Sequence, residues 1–316
     1  MIPPDWFLEA QARIQPHILA TPLRFDPDLN IYFKWENHQV TGSFKIRGAL
    51  NKVLSLQPWE RERGIVAASA GNHGQGVALA AQKVGTRAIV FASEHAVVSK
   101  VDAMRRLGAQ VRLVPGGYAE AEKAGLQYAQ ANGAGWVSPY NDGMVIAGQG
   151  TLALEVLHQQ PELSQAAWIA PIGGGGLISG IGSVLAETAP GAVVIGAQSE
   201  ASAYFNAILK TGSQAGVLEY DSLADGLAGP VEEGAVTIPL VQRLVQDIVL
   251  VTESEIAVAI AYAWHHYHET IEGSAAVTLA AIIAGKIKLR PAILIISGGN
   301  IQPEVHAQII QQYPKV

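Results

Sequence analysis

The chain has 316 residues, 49% of them hydrophobic and 15% charged, with a net charge of -6 and no cysteine. That length allows one large domain or two moderate ones, and the apolar content suits layered α/β enzymes whose central strands are covered on both faces. Disulfides and thiolate metal sites are excluded, and without a lysine or arginine cluster there is no electrostatic footprint for nucleic acid or an anionic membrane, which leaves small molecules as the expected partners.

The N-terminal stretch MIPPDWFLEAQARIQ has no basic region followed by an apolar core, and glycine and polar residues interrupt the longest apolar runs. Neither a secretion signal nor a membrane span is expected, so the chain reads as cytoplasmic. Next comes TGSFKIRGA (Thr41 to Ala49), a lysine flanked by an aromatic residue and a small-residue turn at the start of a helix. From there β-rich runs alternate with helical patterns: GIVAAS before GNHGQGVALAAQKVG, then TRAIVFA, VSKVDAMRRLG and AQVRLV. This is the pattern of βαβ units, and it implies a parallel sheet, because each strand must cross over through a helix to lie beside the last. The theme repeats in AWIAPIG, a helix from Leu177 to about Thr188, AVVIGAQ, a helix near Ser202 to Lys210, and AILIISGG. Thr252 to Glu269 opens with a capping pattern and runs helical, and Pro303 falls in the first turn of a closing helix.

Two doubly wound lobes with mainly parallel sheets follow. ERERG (Glu60 to Gly64) and SPYNDG (Ser138 to Gly143) are the turn-rich stretches where the chain would pass between them. Residues 1–62 and 142–316 are therefore expected to form a large domain, and 63–141 a small mobile one.

Four places depart from ordinary core or surface. PIGGGG (Pro171 to Gly176) joins an apolar strand to a helix; four glycines in a row are entropically unfavourable unless their bare N–H groups serve a phosphate at the helix N-terminus or a tight turn. No lysine-serine pair makes it a Walker loop. The glycines do not fit GxGxxG, although Glu200 after the next strand keeps a dinucleotide site open. SAGNH (Ser69 to His73) also sits at a strand end before a helix, where small residues leave N–H groups open to a carboxylate and Asn72 adds a side-chain donor. SGGN (Ser297 to Asn300) ends another strand; it is a glycine turn, or it offers Ser297 to a buried ring nitrogen. Lys45 taken singly is a solvated cation near Glu36 or Trp35. With the other three it has another use: a carbonyl cofactor carrying a phosphate needs an amine, backbone donors and a partner for its ring nitrogen.

TGSFKIRGALNKV, SAGNHGQGVALAA, PIGGGGLISGIG, ADG at Ala224 to Gly226, EGSAA at Glu272 to Ala276 and SGGN occur in this order. With them the chain resembles, across essentially its whole length, the fold type II pyridoxal phosphate enzymes of the threonine/serine dehydratase and serine racemase branch. The resemblance implies the tryptophan synthase β-like fold and pyridoxal 5'-phosphate as cofactor. It implies that Lys45 links covalently to the cofactor aldehyde and, once released by substrate, abstracts the Cα proton. Phe44 and Gly226 would flank the ring, Asn72 would bond its phenolic oxygen, Gly173, Gly174, Gly175 and Gly176 would cradle the phosphate, and Ser297 would face the ring nitrogen. Ser69, Ala70, Gly71, Asn72 and His73 would line the substrate carboxylate. A serine at the ring nitrogen cannot hold it protonated as a carboxylate would, so prompt loss of a β-hydroxyl is favoured over transamination.

Two departures from relatives sharpen the expectation. Serine racemases like those of animals carry a second serine where this chain has Ala70, so racemisation is expected to be poor. Some members bind a divalent cation through a glutamate and an aspartate where this chain shows Gln198 and Tyr204, so tight Mg²⁺ or Ca²⁺ binding is not expected there, which leaves potassium or no metal; His265, His266 and His268 lack a convincing third zinc ligand. The chain closes soon after SGGN, so the C-terminal regulatory domain of biosynthetic dehydratases, and inhibition by isoleucine, are not expected. The expectation is a homodimeric ammonia-lyase acting on L-threonine or L-serine. A serine racemase, a hydroxyaspartate ammonia-lyase, a nicotinamide oxidoreductase using PIGGGG and a noncatalytic cofactor-binding protein are the alternatives.

Overall fold

A computed structural model describes residues 2–314. Its elements alternate as the sequence patterns require. In chain order they begin with α1 (Pro4–Ile14), β1 (Leu23–Asp26), β2 (Ile31–Trp35), α2 (Lys45–Ser55) and α3 (Pro58–Arg63). The next run is β3 (Ile65–Ala68), α4 (Asn72–Val84), β4 (Ala88–Ser93), α5 (Val98–Arg106), β5 (Gln110–Val114), α6 (Tyr118–Asn132) and β6 (Gly135–Trp136). Then follow α7 (Gly143–Gln159), β7 (Ala167–Pro171), α8 (Gly176–Thr188), β8 (Val193–Ser199), α9 (Tyr204–Thr211), α10 (Thr237–Leu244) and β9 (Asp247–Val251). The last are α11 (Glu253–Tyr267), α12 (Gly273–Ile283), β10 (Ala292–Ile296) and α13 (Pro303–Gln312).

The chain divides into two compact units, one of Leu19–Phe44 and Gly150 onward, the other of Ile2–Ile18 and Lys45–Gln149. The first unit holds a six-stranded sheet in the order β1-β2-β10-β7-β8-β9, parallel except for the β1–β2 hairpin. Every residue of β7 and β10 is buried, as central parallel strands covered on both faces require. Helix α12, GSAAVTLAAII, is buried from Gly273 to Ile282 and packs against β7, β8, β9 and β10; a helix apolar all round belongs inside. Thr252 caps α11 through the Glu255 N–H while the Glu255 carboxylate accepts from the Thr252 N–H, and Pro303 opens α13, both as expected.

The second unit holds a four-stranded parallel sheet in the order β5-β4-β3-β6. This sheet lies within residues 63–141, but the unit around it also takes in α1, α2 and the N-terminal part of α7. The reason is packing: Ile46, Ala49, Leu50 and Val53 of α2 share one core with Val77, Ala78 and Ala81 of α4 and Ile14 of α1. No helix among the described residues is long and apolar enough to cross a membrane.

Candidate active site

Within the first unit, the loops after β7 and β10 and the segment between α9 and α10 carry the residues singled out in the sequence. After β7 the Ile172 N–H donates to Ala197 O (3.0 Å), and the chain then turns through Gly173, Gly174 and Gly175 into α8. Gly175 has φ +86°, a left-handed conformation natural to glycine, and a side chain added there would meet the Phe205 ring at 2.8 Å. Thr237 Oγ1 donates to Gly174 O (2.8 Å) and fixes the turn from behind. Helix α8 therefore opens on buried Gly176, Leu177 and Ile178 with no side-chain cap. The N–H groups of a first helical turn have no acceptor within the helix, so this end presents buried donors and the positive end of the macrodipole.

The SGGN loop pairs with the segment before Lys45. Phe44 N–H donates to Ser297 O (3.0 Å), Gly299 N–H to Gly42 O (2.9 Å) and Asn300 Nδ2 to Thr41 O (2.9 Å). Ser297 is thus buried beside Phe44, which is half-buried at the end of the unit's chain segment. Gly226 donates its N–H to Ser274 Oγ (3.0 Å), which ties the ADG stretch to the EGSAA stretch.

A clasp that sequence reasoning missed holds the Gly226 loop. One Glu253 carboxylate oxygen accepts from Ser199 Oγ and Ser222 Oγ at 2.6 Å each, and the other accepts from the Leu223 N–H at 2.6 Å. On the far side, the Gly229 N–H donates to Ser202 Oγ (3.0 Å). The one sequence signal was that Thr252 and Glu255 already complete the α11 cap, leaving Glu253 for other work.

Within the second unit, Lys45 is the first residue of α2 and its Nζ donates to Pro139 O (3.2 Å). The backbone of α2 comes this close to α4 because α4 has glycine at 76; a Cβ there would stand 3.2 Å from the Lys45 carbonyl. SAGNH leads from β3 into α4. Buried Ser69 accepts the Gly71 N–H on Oγ (3.0 Å), Ala70 is exposed, and Asn72 begins a helix that has no side-chain cap. His73 is buried, and its Nε2 lies 2.8 Å from Val137 O. A carbonyl can only accept, so Nε2 carries the proton. Burial, and next the positive charge of Lys45, push His73 down to about 3, so its ring is neutral at physiological pH.

This shift has a measurable consequence. Native His73 resists protonation down to about pH 3, whereas in the unfolded chain it titrates near 6.5. The stability tied to the neutral ring is fully present above 6.5 and is lost as pH falls toward 3, at about 1.4 kcal/mol per pH unit. In urea unfolding at about pH 7 and about pH 5, wild type is expected to lose about 2 kcal/mol more than His73→Asn. Equal losses in the two proteins would refute it.

Gln198, Tyr204, His265 and His266, considered for metals, have other partners. Gln198 Oε1 accepts the Asn206 N–H (3.1 Å), Tyr204 donates to Glu219 (3.1 Å), His265 Nε2 lies 3.1 Å from Tyr313 O, and His266 stacks on Tyr262 at 3.9 Å. No group of three or more His, Cys, Asp or Glu side chains among the described residues is placed to hold a metal ion.

Residues 14–298 match the family described as pyridoxal-phosphate dependent enzyme. An L-threonine ammonia-lyase of Thermotoga maritima is 41% identical over 311 residues, which cover 96% of this chain and 77% of that protein. The processed form of threonine deaminase isoform 2 from Solanum lycopersicum superposes with a TM-score of 0.89 at 30% identity, covering 98% of this chain and 93% of that one. Serine racemase from Dictyostelium discoideum superposes with a TM-score of 0.87 at 33% identity, covering 95% and 99%.

Proposed function

The chain belongs to the pyridoxal-phosphate dependent enzyme family, and from that premise we propose that it is an ammonia-lyase acting on L-threonine, L-serine or both. The β-hydroxyl leaves as water, hydrolysis returns that water, and the products are ammonia and a 2-oxo acid. The observation that carries the reading is the likeness to a threonine ammonia-lyase over 96% of the chain.

The residues fit the cofactor group by group. The buried, uncapped start of α8 suits a phosphate, with Gly173, Gly174, Gly175 and Gly176 around it. Lys45 supplies the primary amine that an aldehyde needs, and Ser297 supplies a neutral hydroxyl for the ring nitrogen. Phe44 and Gly226 would lie against the ring, and Asn72 would bond its phenolic oxygen. When bound, pyridoxal phosphate supplies an electron sink for the Cα carbanion and a phosphate acid for the departing hydroxyl.

The chain's own part is to hold substrate and move one proton. The first-turn N–H groups of α4, with Ser69, Gly71 and the Asn72 side chain, receive the substrate carboxylate. Lys45 takes the Cα proton on Nζ, which Pro139 O orients through one N–H. Neutral His73 contributes no competing charge and fixes Val137 O instead. Ala70 offers no hydroxyl from which a proton could be returned to the opposite face of Cα, and this favours elimination over the racemisation named for the Dictyostelium protein.

A substrate panel tests the reading. Incubation of the pyridoxal-phosphate-saturated protein with L-threonine, L-serine and 3-hydroxyaspartate, with assays for ammonia, 2-oxo acid and enantiomer, is expected to give oxo acid from threonine or serine in large excess over D-serine. Inversion outrunning elimination, or no oxo acid from either amino acid, would refute it. The family resemblance supports a homodimer, for which mass measurement in solution is the check.

A further inference from the structure

We propose that Ser138 is a positioning residue for Lys45, acting through the carbonyl of Pro139. The proposal rests on the role given to Lys45 above and extends it to the loop between β6 and α7.

The segment from Val137 to Met144 is fixed at both ends. Before Pro139, the Val137 N–H donates to Val66 O (2.9 Å), and Val137 O is held by His73 Nε2 (2.8 Å). After it, Asp142 Oδ1 accepts the N–H groups of Met144 (2.7 Å) and Val145 (3.1 Å) at the start of α7. Asp142 Oδ2 pairs with Lys52 Nζ of α2 (2.7 Å), and Asn51 Nδ2, also of α2, donates to Met144 O (2.6 Å). The loop is thus bolted to the helix that Lys45 begins.

Between these anchors, Ser138 sets the turn. Its buried Oγ accepts the N–H groups of Tyr140 (3.4 Å) and Asn141 (2.9 Å), closing a side-chain turn around Pro139. Proline has a fixed φ and no N–H of its own, so once the turn is closed its carbonyl has one direction, toward Lys45 Nζ at 3.2 Å. A carbonyl directs the amine without adding the negative charge by which a carboxylate would favour the ammonium form. A lysine with four rotatable side-chain bonds otherwise spreads over many rotamers, and holding it in one is worth rate.

The test uses the cofactor-free chain in three forms: wild type, Ser138→Ala and Ser138→Thr. Two quantities are read: acetic anhydride labelling of Lys45 against pH, by peptide mass spectrometry, and the rate at which colour develops on adding pyridoxal phosphate. Ser138→Ala is expected to slow colour development about fivefold, the weight of one lost hydrogen bond of ordinary strength, and to move the midpoint of the labelling curve. Ser138→Thr keeps the hydroxyl and is expected to restore both. A purely structural serine would lower the melting temperature and leave both curves in place; that outcome, or failure of threonine to rescue, overturns the proposal. If Ser138→Ala does not fold, Asp142→Asn, which keeps the cap acceptor but loses the ion pair with Lys52, undergoes the same labelling, and an unmoved midpoint then overturns it. Absence of colour in wild type would instead strike the cofactor reading, while the labelling curves would still decide the role of Ser138.

Discussion

Lys45→Ala is expected to lower kcat/KM for threonine by about 10⁴-fold or more, the scale on which a lost covalent link and a lost general base act together. Both roles belong to one atom, Nζ, so no neighbouring group can take over one and leave the other. His73, which feels the Lys45 charge, is unsuited: its Nε2 proton is committed to Val137 O, and its ring is neutral and buried. The substitution removes the hydrogen bond to Pro139 O and places alanine, the best helix former, at the start of α2. Stability is therefore expected to change by about 1 kcal/mol or less. The variant is expected to melt near wild type, to lack the visible absorbance of the saturated protein, and to yield no tag at position 45 after borohydride reduction and peptide mapping. Retained colour with turnover, or a tag on another lysine, would remove the premise of the mechanism.

The strands and the glycine loop were legible because each is a local pattern. IVAA and AILII are short apolar runs bounded by glycine or proline on one side and serine on the other, and PIGGGG follows a strand and opens a helix, so periodicity and φ requirements suffice to place them. The order of motifs supplied the family. What stayed hidden was long-range. Helix α2 joins the unit of α4 because Gly76 admits its backbone, a contact spanning about thirty residues that no local pattern signals. Pro139 meets Lys45 through its carbonyl, which every residue has, so no sequence pattern points to that contact. Glu253 looked like one more acid in a helix's first turn until Ser199, Ser222 and the Leu223 N–H closed on it. SAGNH announced N–H donors and an asparagine, and the structure places them at an uncapped helix start; the fixing of His73 against Val137 could be read only from the folded chain.

Gly175→Ala is expected to weaken pyridoxal phosphate binding about a hundredfold, which corresponds to about 2.7 kcal/mol. Two separate penalties arise at this position. Holding an L-residue at φ +86° is unfavourable by about 1–2 kcal/mol. The new methyl also stands 2.8 Å from the Phe205 ring and 3.1 Å from Thr237 Cβ, and relieving such overpacking costs about 1–3 kcal/mol. The chain lowers both by rotating the 174–175 peptides, but that rotation pulls Gly174 O from Thr237 Oγ1 and turns away the N–H groups that open α8. The variant thus either keeps the cradle under strain or relaxes and loses it, and phosphate affinity falls in both cases. Comparing pyridoxal phosphate with pyridoxal isolates the effect: the variant is expected to lose far more affinity for the phosphorylated form, because only that form meets α8. Adding Phe205→Leu removes part of the steric term and leaves the φ term, so the double variant is expected to recover part of the affinity and no more. Equal losses for both vitamers would mean that the glycines serve the fold alone and that the phosphate is held elsewhere.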